Sequence, residues 1–259
     1  MERQPVKNKP EGDMEVACER CSISALCLPG DMGDSERALL NQIVQRARPL
    51  QKGAYLFRSG DRGNCVYALR TGAIKSYRVT SDGEEQVTGF FLPGEVVGLE
   101  SLAGGEHMQN AIALDTSLVC RIPLEQYDRL AERVPSMRRQ LVKVISRELF
   151  DLQERLVDAR HTGAPATMAG FLINLSDRFS RRGLVGDRII LPMSRGDIAS
   201  YLGLTLETVS RLLSRFQSEG LIEVHGRDLR LVDTEELRRL ASCGLHTCPR
   251  RTPPPVDGD

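Results

Sequence analysis

Three cysteines fall within ten residues, Cys18, Cys21 and Cys27, in the spacing C-x2-C-x5-C. Thiolates are soft ligands, and a short segment carrying three of them can wrap a metal ion or an iron–sulfur cluster. A closed site needs a fourth donor, and Cys65, Cys120, Cys243 and Cys248 are the candidates. Spacing leaves that choice open. It equally allows a structural zinc or a thiol-redox pair at Cys18 and Cys21, although no βαβ pattern of the thioredoxin type surrounds them. Cys65 also reads as a small buried hydrophobe, and Cys243 and Cys248, near His246, as surface thiols.

A second constellation lies at 194–216. Ser194 and Asp197 form a helix-start pair, followed by the apolar Ile198, Ala199 and Leu202. Gly203 permits a sharp turn, Thr205 caps a second helix, and Val209, Leu212, Leu213 and Phe216 give that helix a core face. This is the pattern of a helix-turn-helix. Glu207, Ser210 and Arg211 share one outward face near the second helix's start. Arg can take guanine O6 and N7, Glu can accept from cytosine N4, and Ser can serve either. The same Glu-to-Arg spacing also makes an ordinary i,i+4 surface pair. Arg195, Thr205, Arg215 and Arg227 are candidate phosphate contacts.

Other elements must position these groups. From Pro49 to Pro123, ten glycines between Gly53 and Gly105 separate short apolar runs, which predicts a β-sandwich or jelly roll. Before it, a short helix is expected from Asp34 or Ser35 to about Arg46. After it, residues 125–160 read as helical, with a long helix able to start at Pro135. Val134, Leu141, Ile145, Leu152 and Leu156 fall near a heptad seam, so the helix reads as a dimerisation element. The fold class expected is α+β. A flexible segment (1–30) precedes a β-roll sensory domain (31–125), a dimerisation helix (126–161), a winged helix-turn-helix (162–240) and a disordered tail (241–259).

Over the 259 residues, 35 Lys+Arg balance 35 Asp+Glu, which argues against a polycationic nucleic-acid binder. The balance is uneven, however. Over 160–230 ten arginines face seven acids, so the cationic excess sits with the helix-turn-helix. Aromatics make up 5% with no Trp, which argues against base-stacking platforms. No apolar run is long enough to span a membrane, and residues 1–13 lack a signal-peptide core. A cytoplasmic protein with reduced cysteines, and no membrane partner, is expected.

The run Cys18-x2-Cys21-Ser22-Ile23-Ser24-x2-Cys27, the stretches Gly72 to Tyr77 and Glu85 to Phe90, and Ser194 to Phe216 together resemble the FNR/Anr-type oxygen-sensing regulators of the CRP superfamily. The resemblance covers about residues 17–241, and Gly-Leu-Thr-x-Glu-Thr-x-Ser-Arg-Leu-Leu at 203–213 is its most specific part. It implies a cyclic-nucleotide-binding-like β-roll, a long dimer helix and a winged helix-turn-helix. It implies Cys18, Cys21, Cys27 and Cys120 as ligands of one oxygen-labile [4Fe-4S] cluster per subunit. It further implies a non-enzymatic homodimer that reads TTGAT-type palindromes in double-stranded DNA through Glu207, Ser210 and Arg211, and that contacts RNA polymerase. By position, Thr80, Gly83 and Glu84 resemble one polymerase-contacting surface, and Thr71, Thr116 and Arg182 another.

Within the superfamily the rival is a cyclic-nucleotide binder. Gly94-Glu95 resembles part of a phosphate cassette, but Asn110-Ala111-Ile112-Ala113 stands where the phosphate-binding Arg would be, so no cyclic nucleotide is expected. Leu152 stands where some relatives carry an acid that opposes dimerisation, so a stronger cluster-free dimer is expected.

Overall fold

The computed structural model describes Cys18, Cys21 and residues 32–161, 163–183 and 186–242, without the side chains of 151 and 154–161. It divides into two compact units, Met1–Arg147 and Glu148–Asp259.

The first unit opens with helix α1 (Asp34–Ile43), shorter than the sequence pattern implied, because Gln45–Arg46 leave the helix as strand β1. Strands β2 (Tyr55–Phe57), β3 (Cys65–Thr71), β4 (Ile74–Val79), β5 (Glu85–Phe91), β6 (Val96–Val97), β7 (Asn110–Ala113) and β8 (Leu118–Pro123) follow. A one-turn helix α2 (Ser101–Gly104) interrupts them. They form two four-stranded sheets, ordered β1-β8-β3-β6 and β2-β7-β4-β5. Between them lies a core of Phe57, Leu69, Ile74, Val97, Ala111 and Val119, as the alternating apolar runs require.

The turns rest on glycine. At Gly72, between β3 and β4, φ is +83°, and an added Cβ would stand 2.5 Å from the Thr116 carbonyl oxygen and 2.3 Å from Ser117 Oγ. No other residue type fits there.

Two helices close the unit. Helix α3 (Leu124–Arg133) ends at Val134, and a separate α4 runs from Pro135 to His161. Pro at the first helical position carries no N–H to leave unsatisfied, which is why the new helix starts there. Tyr127 donates its hydroxyl to the Met137 carbonyl at 2.7 Å, tying the two helices together. Beneath them a second core gathers Met32, Leu40, Val44, Tyr127, Leu130, Ala131, Val134 and Met137, with Cys18, Cys120 and Leu141 packed against it.

The second unit contains α5 (Ala164–Ser180), β9 (Arg188–Ile190), α6 (Arg195–Leu202), α7 (Leu206–Ser218), β10 (Ile222–His225), β11 (Asp228–Leu231) and α8 (Thr234–Ser242). The strands form one antiparallel sheet, ordered β10-β11-β9, whose β10–β11 hairpin is the wing. Met168, Leu172, Leu175, Ile189, Ile198, Phe216, Leu229 and Leu237 are all buried between the helices and this sheet. The sequence reading passed over α8, although Asp233 caps it by accepting from the Glu236 N–H at 2.9 Å. No helix among the described residues is long and apolar enough to cross a membrane.

Candidate functional site: a cysteine cavity and a DNA-reading helix

Cys120 lies on β8, paired with Arg46 of β1 on one side and Ala68 of β3 on the other. Cys18 and Cys21 approach the same place. The Cys18 N–H donates to Asn41 Oδ1 of α1 at 3.3 Å, and the Cys21 N–H donates to the Cys18 carbonyl. All three thiols line one cavity of about 90 Å³, with Arg70 and an apolar wall that includes Val66, Ala68, Ile122 and Leu141.

Burial pushes the Cys120 thiol up to about 11, against the opposing pull of Arg70. Burial also raises Cys18, and Arg46 is the strongest opposing influence. In such surroundings a thiolate is stable only beside a cation that remains in place. A cationic metal centre would meet that condition, and soft thiol donors are of the type that holds an iron–sulfur cluster.

Among the described residues no three His, Cys, Asp or Glu side chains stand ready as a metal site. The expected ligand Cys27 lies outside the described residues, as do Cys243, Cys248 and His246. Cys65 is buried on β3, where its sulfur accepts from Arg121 Nε at 2.9 Å, which is a packing role. Asn41, Arg46 and Arg70 were not singled out from the sequence, since only strand pairing brings them to the cysteines.

The second site is built on α6 and α7. Ser194 caps α6, accepting from the Asp197 N–H at 3.0 Å, while Asp197 accepts from the Ser194 N–H at 2.9 Å. This reciprocal box satisfies two helix-start donors. Gly203 takes φ +66° at the turn, and Thr205 caps α7 by accepting from the Thr208 N–H at 3.1 Å. Buried Val209, Leu212, Leu213 and Phe216 fix the rotation of α7 about its axis, which leaves Glu207 and Arg211 exposed and Ser210 half-buried beside them.

Glu207 and Arg211 pair at 2.6 Å, so the ion-pair reading and the base-reading face coexist in the free chain. An exposed i,i+4 pair contributes only about 0.3–0.5 kcal/mol and opens readily for another partner. Leu206 is exposed beside them, an apolar neighbour the sequence reading did not single out.

Arg195 is exposed at the first turn of α6. Arg215 is exposed and pairs with Glu219 at 2.7 Å. Arg227 is exposed and partly engaged. Its Nε donates to the Leu191 carbonyl at 2.8 Å and an Nη to the Pro192 carbonyl at 2.5 Å. These two bonds fasten the wing to the segment after β9, while the side chain stays exposed.

Two expected dimer residues are corrected. Val134 is only 2% exposed, at the junction of α3 and α4 inside the second core. Leu141 packs against that core and lines the cysteine cavity. Ile145 and Leu152 are exposed, joined by Val142 and Leu149, which the sequence reading missed. Positions 142, 145, 149 and 152 alternate spacings of three and four, so they form one stripe on α4. The Leu156 side chain lies outside the described residues.

Thr80, Gly83 and Glu84 form the exposed β4–β5 hairpin tip, closed by Thr80 N–H to the Glu84 carbonyl at 2.9 Å. Thr71, the last residue of β3, and Thr116, in the turn before β8, are exposed and brought together by the tight approach at Gly72. Arg182, in the second unit, donates to the Arg178 carbonyl. On β7, Asn110, Ala111, Ile112 and Ala113 offer no cation, and the Glu95 carboxylate accepts from the Leu92 N–H of its own turn at 2.9 Å.

A two-sheet β-domain joined in sequence to a capped helix pair with a wing is the architecture of a DNA-binding regulator. Residues 47–134 match the cyclic nucleotide-binding domain model and 168–240 the Crp-like helix-turn-helix domain model. The chain is 42% identical over 240 residues to the fumarate and nitrate reduction regulatory protein of Vibrio cholerae, covering 93% of this chain and 96% of that protein. It is 45% identical to the transcriptional activator protein FnrA of Stutzerimonas stutzeri, covering 90% and 96%. The solved structure of FixK2 from Bradyrhizobium japonicum superposes with a TM-score of 0.70 at 31% identity, covering 76% of this chain and 97% of that one. The chain belongs to the fumarate and nitrate reduction regulator family of CRP-type transcriptional regulators.

Proposed function

We propose that this regulator is an oxygen-responsive, sequence-specific activator of anaerobic genes. In this reading it binds one [4Fe-4S] cluster per subunit through Cys18, Cys21, Cys27 and Cys120. It dimerises through α4 and reads TTGAT-type palindromes. The observation that carries the reading is the convergence of Cys18, Cys21 and Cys120 on one cavity from positions about a hundred residues apart in sequence. When bound, the cluster would supply an oxygen-labile centre.

The chain's own residues do the rest. Asn41 and β8 hold Cys18 and Cys120 at the cavity. Met137, Leu141 and Val144 of α4 line that cavity, so its contents bear directly on the helix that presents the outward stripe. In a dimer, two copies of α7 would sit about one DNA turn apart, and the tethered second contact would raise affinity for a palindrome. Glu207, Ser210 and Arg211 would read bases, while Arg195, Thr205 and Arg215 would meet phosphates. Arg215 would have to release Glu219. The hairpin tip at Thr80–Glu84, the Thr71–Thr116 surface and Arg182 are the proposed RNA polymerase contacts.

The assignment uses the domains expected from sequence: ligand segment 1–30, sensory β-roll 31–125, dimer helix 126–161 and DNA-binding unit 162–240. The absence of an arginine from β7 supports the reading of a β-roll that takes no cyclic nucleotide. Raised thiols at Cys18 and Cys120 are the reverse of what an activated redox cysteine requires.

The test is anaerobic purification of the full chain and of Cys120→Ala. The wild-type protein is expected to be straw-brown, to carry about four irons and four sulfides per chain, and to bleach in air. The variant should be folded, colourless and unable to activate. A wild-type protein that is colourless and holds zinc, or a variant with normal iron content, overturns the reading.

A further inference from the structure

Charge balance around the cysteine cavity is unequal to its wall. Most of the lining is apolar, yet two arginines approach it from separate strands. Arg46 is the direct cross-strand partner of Cys120, so both side chains leave the paired sheet on the same face. Its Nη donates to Asn41 Oδ1 at 2.6 Å, the same oxygen that accepts from the Cys18 N–H at 3.3 Å. One amide therefore couples the guanidinium to the backbone of the first cysteine. Arg70 comes from β3, two residues beyond Ala68, the partner of Cys120 on that side. It lines the cavity with Cys18, Cys21 and Cys120, and no carboxylate pairs with it among the described residues. Arginine keeps its charge in any such setting, and a cation beside a mostly apolar pocket is costly unless an anion shares it.

We propose that Arg46 and Arg70 form a cationic frame for a polyanionic, thiolate-ligated group, with Asn41 locking Arg46 to the Cys18 loop. This rests on the proposed cysteine-ligand site and adds to it two charge-balancing residues and one positioning residue. Four thiolates around a doubly charged metal centre leave a net charge of about −2, and two guanidinium groups offset it.

The experiment uses full-length Arg46→Met, Arg70→Met, the double variant, the Arg→Lys pair and Asn41→Ala, all handled without oxygen. Cobalt(II) is titrated into metal-free protein and read by its sulfur-to-metal charge-transfer band. Iron and sulfide per chain are measured in parallel after reconstitution, and circular dichroism checks folding. Each Met variant is expected to weaken cobalt binding about tenfold and the double variant about a hundredfold, on the order of one pKa unit for each lost charge. Lys at either position should restore binding to within about threefold, because it returns the charge without the shape. Asn41→Ala should lower affinity less than either Met variant.

Folded Met variants that bind cobalt like the wild type overturn the frame and leave the cysteine site standing. Lys variants as weak as Met variants also overturn it, since packing and not charge would then matter. A wild-type chain that takes up neither cobalt nor iron overturns the cysteine site and the frame with it.

Discussion

Leu149→Ala tests whether the outward stripe of α4 is an interface. In the free chain Leu149 is 56% exposed, so truncating it opens no cavity, and alanine is the better helix former. Folding of the monomer should be unchanged to within about 0.5 kcal/mol. In a dimer the exposed part of the side chain becomes buried. Burying a whole leucine contributes about 1.5–3 kcal/mol, so roughly half of that, about 1 kcal/mol, belongs to the interface on each chain. Twofold symmetry doubles the loss to about 2 kcal/mol, a rise of about 30-fold in the dimer Kd. Sedimentation equilibrium of cluster-loaded protein measures this directly. A variant that dimerises like the wild type, with an unchanged thermal midpoint, would refute the assignment of this face. A thermal midpoint that falls by many degrees would place Leu149 in a core and refute it by another route.

Other outcomes follow from local geometry. Glu207→Val removes the acceptor at the exposed start of α7 and should alter preference at one base pair by about 1–3 kcal/mol, read by competition among single-base operator variants; equal loss on specific and random DNA would contradict base reading. Ser194→Ala deletes the cap of α6 and should cost about 1 kcal/mol of stability in urea unfolding, with no change in operator preference among the molecules that remain folded. Gly203→Ala meets nothing within 4 Å and should cost only the left-handed backbone term, about 1–2 kcal/mol. Gly72→Ala has the same backbone term plus a collision with Thr116 and Ser117, so it should cost roughly 3 kcal/mol or more and lower the thermal midpoint well below that of Gly203→Ala.

Features carried by short-range spacing were legible in the sequence. The Ser194–Asp197 box, the Gly203 turn and the core face of α7 each depend on residues within one or two helical turns, and each stands where the pattern put it. The cysteine motif was visible for the same reason. What was not legible depends on partners far along the chain. Arg227 donates to carbonyls 35 and 36 residues away, and nothing local in the sequence announces those bonds. Inward and outward residues were read into one α4 seam because that helix carries two neighbouring apolar faces. Met137, Leu141 and Val144 turn inward, while Val142, Ile145, Leu149 and Leu152 turn outward. A one-dimensional pattern merges the two stripes, and only the packed unit separates them. The two-residue strand β1, too short to read from sequence, is what brings Arg46 beside Cys120.

Leu141 and Val142 are adjacent residues, about 100° apart around the helix axis. One touches the cysteine cavity and the other belongs to the outward stripe. Mechanically, α4 is a torsion shaft about 40 Å long, the length of its 27 residues. Past Pro135 its sequence has neither Gly nor Pro to serve as a joint. Under the proposed switch, a turn applied where Leu141 meets the cavity wall would carry Val142 and Ile145 with it, so a change the size of one side chain would reach the outward face as a rotation, not as a dent at one point.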